Sequence, residues 1–85
     1  MLPKNTQIAT LRTIVETSGQ EPEAWRVFQL DDDSYELQFT YDEPKKYWLP
    51  VSLRSGKQKP YKSLNAIFND INKITRQAVI HFHWK

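Results

Sequence analysis

Apolar residues recur along this chain with two different periods, and the changes of period mark its elements. Ile8, Leu11 and Val15, with Ile14 beside them, fall at helical spacing and predict a helix over 6–17. Asn5 or Thr6 stands where a side-chain oxygen can accept from a first-turn amide, and Ser18-Gly19 supplies the stop. The threonines of this segment are poor helix formers, so the helix needs packing to persist.

Three runs of period two follow. The stretch 24–30 is rich in strand formers but ambiguous in face, since Trp25 and Val27 point one way and Phe28 and Leu30 the other. Asp31-Asp32-Asp33-Ser34 has turn chemistry. Tyr35, Leu37, Phe39 and Tyr41 then alternate with Glu36, Gln38 and Thr40, the clearest half-buried strand in the chain. A second turn at 42–45 leads to a strand setting Tyr47, Leu49, Val51 and Leu53 against Lys46, Trp48, Pro50 and Ser52. Pro50 has no amide hydrogen, which places that strand at an edge or a bulge. After a turn at 54–57 and a polar stretch at 58–62, Ser63 is a good N-cap for a helix over 64–75. Leu64, Ile67, Phe68, Ile71 and Ile74 form its apolar stripe. A last strand over 78–84 puts Ala78, Ile80, Phe82 and Trp84 opposite Val79, His81 and His83.

The order α-β-β-β-α-β, with short turns joining the first three strands, predicts an α+β fold with an antiparallel meander. A right-handed crossover through the second helix returns the last strand parallel to the first or the third; the place beside the first is favoured, giving a four-stranded mixed, mainly antiparallel sheet with that helix on one face. The pattern leaves two places for the first helix: beside the second, or over the other face.

Composition bounds the class. Eighty-five residues suit one domain, and 39% hydrophobic with 26% charged residues suits a folded globule. The chain has no cysteine, which excludes disulfides and thiolate metal sites. Apolar runs are only a few residues long and no membrane span is expected. Residues 1–16 carry Lys4, Arg12 and Glu16 with no central apolar block, unlike a secretory signal, so a cytoplasmic location is expected.

Net charge of +2 conceals a division along the chain. Residues 1–43 hold three basic side chains against nine acidic ones; residues 44–85 hold nine basic ones against Asp70 alone. Such asymmetry suits a polyanionic partner, and equally suits two halves that neutralise each other on folding.

Catalytic chemistry finds no support. A nucleophile needs an adjacent base and an oxyanion site, and the two glycines and two histidines here form no such setting. The expectation is a non-enzymatic protein with no cofactor. His81 and His83 face one side of a strand, but no third ligand is marked, so ordinary sheet-surface histidines are expected and no metal site is assigned. Asp31-Asp32-Asp33 resembles the start of a calcium loop, yet Glu36 and Asp42 stand where that loop needs glycine and glutamate.

The basic segment is the better lead. Residues 44–69 contain no acid and hold Lys45, Lys46, Arg54, Lys57, Lys59 and Lys62 around a strand whose off-core face carries Trp48. Lysines and arginine attract phosphates, and an exposed indole can stack on a base. Nucleic acid is the favoured partner on this reading, with solvated lysines that keep an edge from pairing as the plain alternative. The competing functional reading is a protein-interaction or homodimerising module, using a sheet edge or whichever of Trp25 and Phe28 the core leaves out.

The stretch Arg54-Ser-Gly-Lys-Gln-Lys-Pro-Tyr-Lys-Ser-Leu-Asn-Ala resembles a strand-end, basic-loop, capped-helix pattern of small uncharacterised bacterial proteins, often plasmid-borne. The resemblance covers roughly 48–74; it implies bacterial origin and a mobile-element role, and no activity. In element order the chain is also similar to double-stranded-RNA-binding domains, which clamp phosphates with lysines at the start of the last helix. Lys57, Lys59 and Lys62 lie near that place, but the family's glycine and double-lysine signature is absent. The three-stranded DNA-binding domains of some phage integrases likewise place a basic stretch before a helix. These last two likenesses are of element order alone.

Overall fold

A computed structural model describes residues 6–41, 48–53, 55–76 and 78–84. Helix α1 (Ile8–Ser18) leads into β1 (Ala24–Gln29), β2 (Tyr35–Thr40) and β3 (Leu49–Pro50); α2 (Leu64–Asn72) then crosses to β4 (Ile80–His83). The sheet order is β3-β2-β1-β4. β1 and β2 pair antiparallel with Trp25 opposite Phe39, β2 and β3 antiparallel with Phe39 opposite Leu49, and β1 and β4 parallel with Trp25 opposite Ile80. The α+β fold and the mixed sheet with its last strand beside the first are as the hydrophobic pattern predicts.

The turns follow from local chemistry. Gly19 closes α1 in the left-handed region at φ 72°, its amide donating to Val15 O. Asp32 Oδ1 accepts from the Ser34 amide at 3.1 Å, and Asp33 takes φ 64° beside it. Ser63 caps α2, accepting from the Ala66 amide at 3.2 Å. The exposed threonines of α1 bond back along the helix: the Thr13 hydroxyl donates to Ala9 O and the Thr17 hydroxyl to Thr13 O.

The ambiguity of β1 resolves through its partners. Trp25 and Val27 share a face with Leu37 and Phe39, and these join Leu11 of α1 with Ile67 and Ile71 of α2 in one buried cluster. Both helices therefore cover the same face of the sheet. Burying Trp25, with its indole N–H donating to the Thr75 hydroxyl at 3.2 Å, turns Phe28 to the opposite side.

Several expected boundaries move, and tertiary contacts account for them. Thr6 is a buried bridge to Val51 rather than a cap, so the helix starts behind Gln7 with no side-chain cap bond. The third strand is short because Ser52 leaves β2 and donates its amide to Thr6 O. The chain then folds back, the Lys59 amide donating to Val51 O, and Tyr61 exchanges two backbone bonds with Tyr35. α2 stops at Asn72 because Ile74 and Thr75 turn inward and are buried. Phe82 and Trp84 keep their expected side but are 39% and 56% exposed, since β4 is a terminal strand of the sheet and α2 reaches it through Phe68.

Candidate nucleic-acid interface

Strand alternation carries one set of side chains to the face away from the helices. From β1 these are Arg26 and Phe28; from β2, Glu36, Gln38 and Thr40; from β4, His81 and His83. Trp48, immediately before β3, reaches across to the same side, its ring 6.3 Å from that of His81. Both helices pack against the opposite face, while at one end of this face Ala24 and Thr40 are buried, at 3% and 1% exposure.

The flat groups stand in a row. Arg26 Cζ lies 4.5 Å from the Trp48 ring centroid and 4.9 Å from that of Phe28. Phe28 in turn stacks on His83, with centroids 4.5 Å apart and planes 17° from parallel. A guanidinium over aromatic faces is held by the ring quadrupoles while its edge stays available for hydrogen bonds. Arg26 Nε donates to Gln38 Oε1, and Gln38 Nε2 donates to Glu36 Oε1 at 2.8 Å. Burial lowers the pKa of Arg26 and the Glu36 charge opposes that shift; guanidinium remains a cation in either case.

The basic segment is divided. Lys57 and Lys62 are exposed, flanking the strip that pairs with Val51 and with Tyr35 along the β3 side of the sheet. Lys59 turns to the helix layer: its Nζ donates to Asp70 Oδ2 of α2 at 2.9 Å. The Tyr61 hydroxyl donates to the same oxygen at 2.7 Å, and Lys73 Nζ stands 3.6 Å from Oδ1. Burial pushes the Asp70 carboxyl up, but the hydrogen bonds from Lys59 and Tyr61 and the charges of Lys59 and Lys73 outweigh it, and the net shift is downward. Burial, then the bond to Asp70, drives Tyr61 well above the usual phenol range.

Lys59 and Trp48 are thus on opposite sides of the sheet and do not share one surface. Lys45, Lys46 and Arg54 lie outside the described residues. The sequence pattern singles out Trp48 but misses Arg26, Phe28 and His83 as its companions. The available signal is the alternation of β1 itself: once Trp25 enters the core, Arg26 and Phe28 must share the other face.

Among the described residues no group of three or more His, Asp or Glu side chains is arranged to hold a metal ion, and no helix is long and apolar enough to cross a membrane. Comparison with known proteins finds no family model that matches the chain, no similar curated protein and no similar solved structure.

Proposed function

We propose that this protein is a non-enzymatic module that binds single-stranded nucleic acid on its open sheet face. The observation that carries the reading is the row Trp48–Arg26–Phe28–His83 on the face both helices leave uncovered. Bases stack on aromatic and guanidinium planes regardless of sequence, each contact contributing roughly 1–3 kcal/mol. A duplex hides its base faces, so an aromatic sheet surface favours an unpaired strand. Lys57 and Lys62, with Lys45, Lys46 and Arg54 of the same acid-free stretch, supply phosphate contacts, whereas Lys59 serves the fold. Lys45 and Lys46 stand within three residues of Trp48 in the chain.

The test is fluorescence anisotropy of labelled single-stranded and duplex oligonucleotides at two salt concentrations. Single strands bind more tightly than duplex, affinity falls with salt by a log–log slope of about −0.7 per phosphate contacted, and Trp48→Ala weakens binding. Equal or absent binding of single strands, or an unaffected Trp48→Ala variant, overturns the reading.

A second reading, self-association, rests on β4. It is one of the two terminal strands of the sheet, and Val79, Phe82 and Trp84 on or beside it are three of the four exposed large hydrophobics among the described residues. Antiparallel pairing with β4 of a second copy covers those side chains and the outward backbone groups of Ile80 and Phe82. Light scattering across a dilution series decides it: a mass that stays monomeric removes this reading and leaves the first intact.

A further inference from the structure

The open face holds one side chain positioned to tell bases apart. We infer that Arg26 reads guanine in the bound strand, an inference that rests on the sheet face being the single-strand site.

The guanidinium is restrained in two ways. Its Cζ lies over both the Trp48 and Phe28 rings, and its Nε is engaged by Gln38 Oε1. The Gln38 amide is itself oriented, because its nitrogen donates to Glu36 Oε1 at 2.8 Å. With Nε engaged, the donors left to a ligand are the two terminal amino groups, an end-on fork that requires two neighbouring acceptors. Arg26 is register partner to both Gln38 and His81, which puts it in the interior of the sheet face among the stacking rings. A strand whose bases stack on those rings turns its phosphates outward, toward the lysines of the margin, and presents base edges to the fork.

Donor and acceptor patterns then select the base. Guanine offers O6 and N7 side by side as acceptors. In an unpaired strand the Watson–Crick edge is exposed as well: adenine sets its N6 amino donor beside N7 and N1, thymine or uracil sets N3–H between O4 and O2, and cytosine offers N3 and O2 as a second acceptor pair. A terminal guanidinium fork is satisfied twice by guanine through O6 and N7, is satisfied by cytosine only through its N3 and O2 edge, and is opposed or half-satisfied by adenine, thymine and uracil. A lysine in the same place would supply a mobile point charge and forfeit the distinction.

The experiment measures anisotropy with short thymine-rich strands that differ only in repeated test positions carrying guanine, adenine, cytosine, inosine or 7-deazaguanine. Guanine strands bind about tenfold more tightly than adenine strands, the order expected of one bidentate pairing, and the cytosine strands report how far the N3 and O2 edge substitutes. Inosine, which keeps O6 and N7, retains the preference; 7-deazaguanine, which lacks N7, forfeits most of it. Arg26→Lys removes the preference and leaves weaker binding of every strand. Equal affinity for all bases, full affinity for 7-deazaguanine, or a preference that survives Arg26→Lys overturns the inference while single-strand binding stands. Failure of every strand to bind the unaltered protein removes the site and the inference together. The 7-deazaguanine comparison needs no variant and decides the matter even where Arg26→Lys folds poorly.

Discussion

Lys59 Nζ stands 2.9 Å from Asp70 Oδ2, and the Tyr61 hydroxyl reaches the same oxygen at 2.7 Å. Asp70 is the one acid in residues 44–85, so this pairing commits the only local countercharge of the basic half to fastening the loop before α2 to the helix itself. The carboxylate is buried, at 7% exposure, and accepts from two donors there. Removing it strands the Tyr61 hydroxyl and leaves Lys59 without its partner. Asp70→Asn is therefore expected to cost about 2–3 kcal/mol in urea unfolding, and Tyr61→Phe about 1 kcal/mol. A double-mutant cycle on the two should show coupling well above zero.

The same cluster sets a pH window. Asp70 titrates below its unfolded value, so its contribution is present above about pH 4, the unfolded carboxyl value, and is lost as pH falls through the lower folded value. Tyr61 titrates above its unfolded value, so its contribution is full below about pH 10 and declines as pH rises further, because the unfolded phenol ionises first. Thermal midpoints across pH should fall at both ends. In Tyr61→Phe the alkaline fall should shrink.

Gly19 isolates a backbone effect. Its φ of 72° lies in the left-handed region, and an added Cβ would meet nothing within 4 Å. Gly19→Ala is expected to destabilise by about 1 kcal/mol through conformation alone, measured by chemical denaturation.

Leu11 tests whether α1 belongs to the common core. It is the fully buried residue of that helix, packed in the cluster that contains Trp25 and Phe39. Leu11→Ala should cost about 3 kcal/mol, a large part of the stability expected of a small domain. A drop under about 0.5 kcal/mol, typical of surface sites, would mean the helix is not docked.

The lysines should separate by role. Lys57→Glu with Lys62→Glu should weaken single-strand binding and flatten its salt slope by about 0.7 for each phosphate no longer neutralised, with the melting temperature little changed. Lys59→Gln should lower stability and have a smaller effect on binding. Identical effects from all three would contradict the division of the basic segment.

The second helix, the alternating strand 35–40 and the stops at Gly19 and Asp31–Ser34 were legible because each is written in neighbouring residues: a repeat of apolar positions, a cap hydroxyl, a glycine, a self-bonding aspartate. The parallel return of β4 was legible too, since a crossover through a helix leaves few alternatives, but its place beside β1 was only the favoured one of two. Thr6, Ser52 and Tyr61 read as cap, strand and loop, and became instead the bridges that replace most of the expected third strand. Nothing within a few positions of each could announce a partner that far along the chain.

The candidate site divides the same way. Sequence alone determined the apolar periodicities, the order of elements along the chain and the acid-free stretch that marked Trp48 and the lysines. Tertiary structure alone decided that both helices share one face, that Trp25 is buried and Phe28 is not, and that Lys59 belongs to Asp70. Periodicity states which residues share a side of a strand, but which side is buried depends on where other elements dock, and that is settled by total packing and charge pairing across the folded chain.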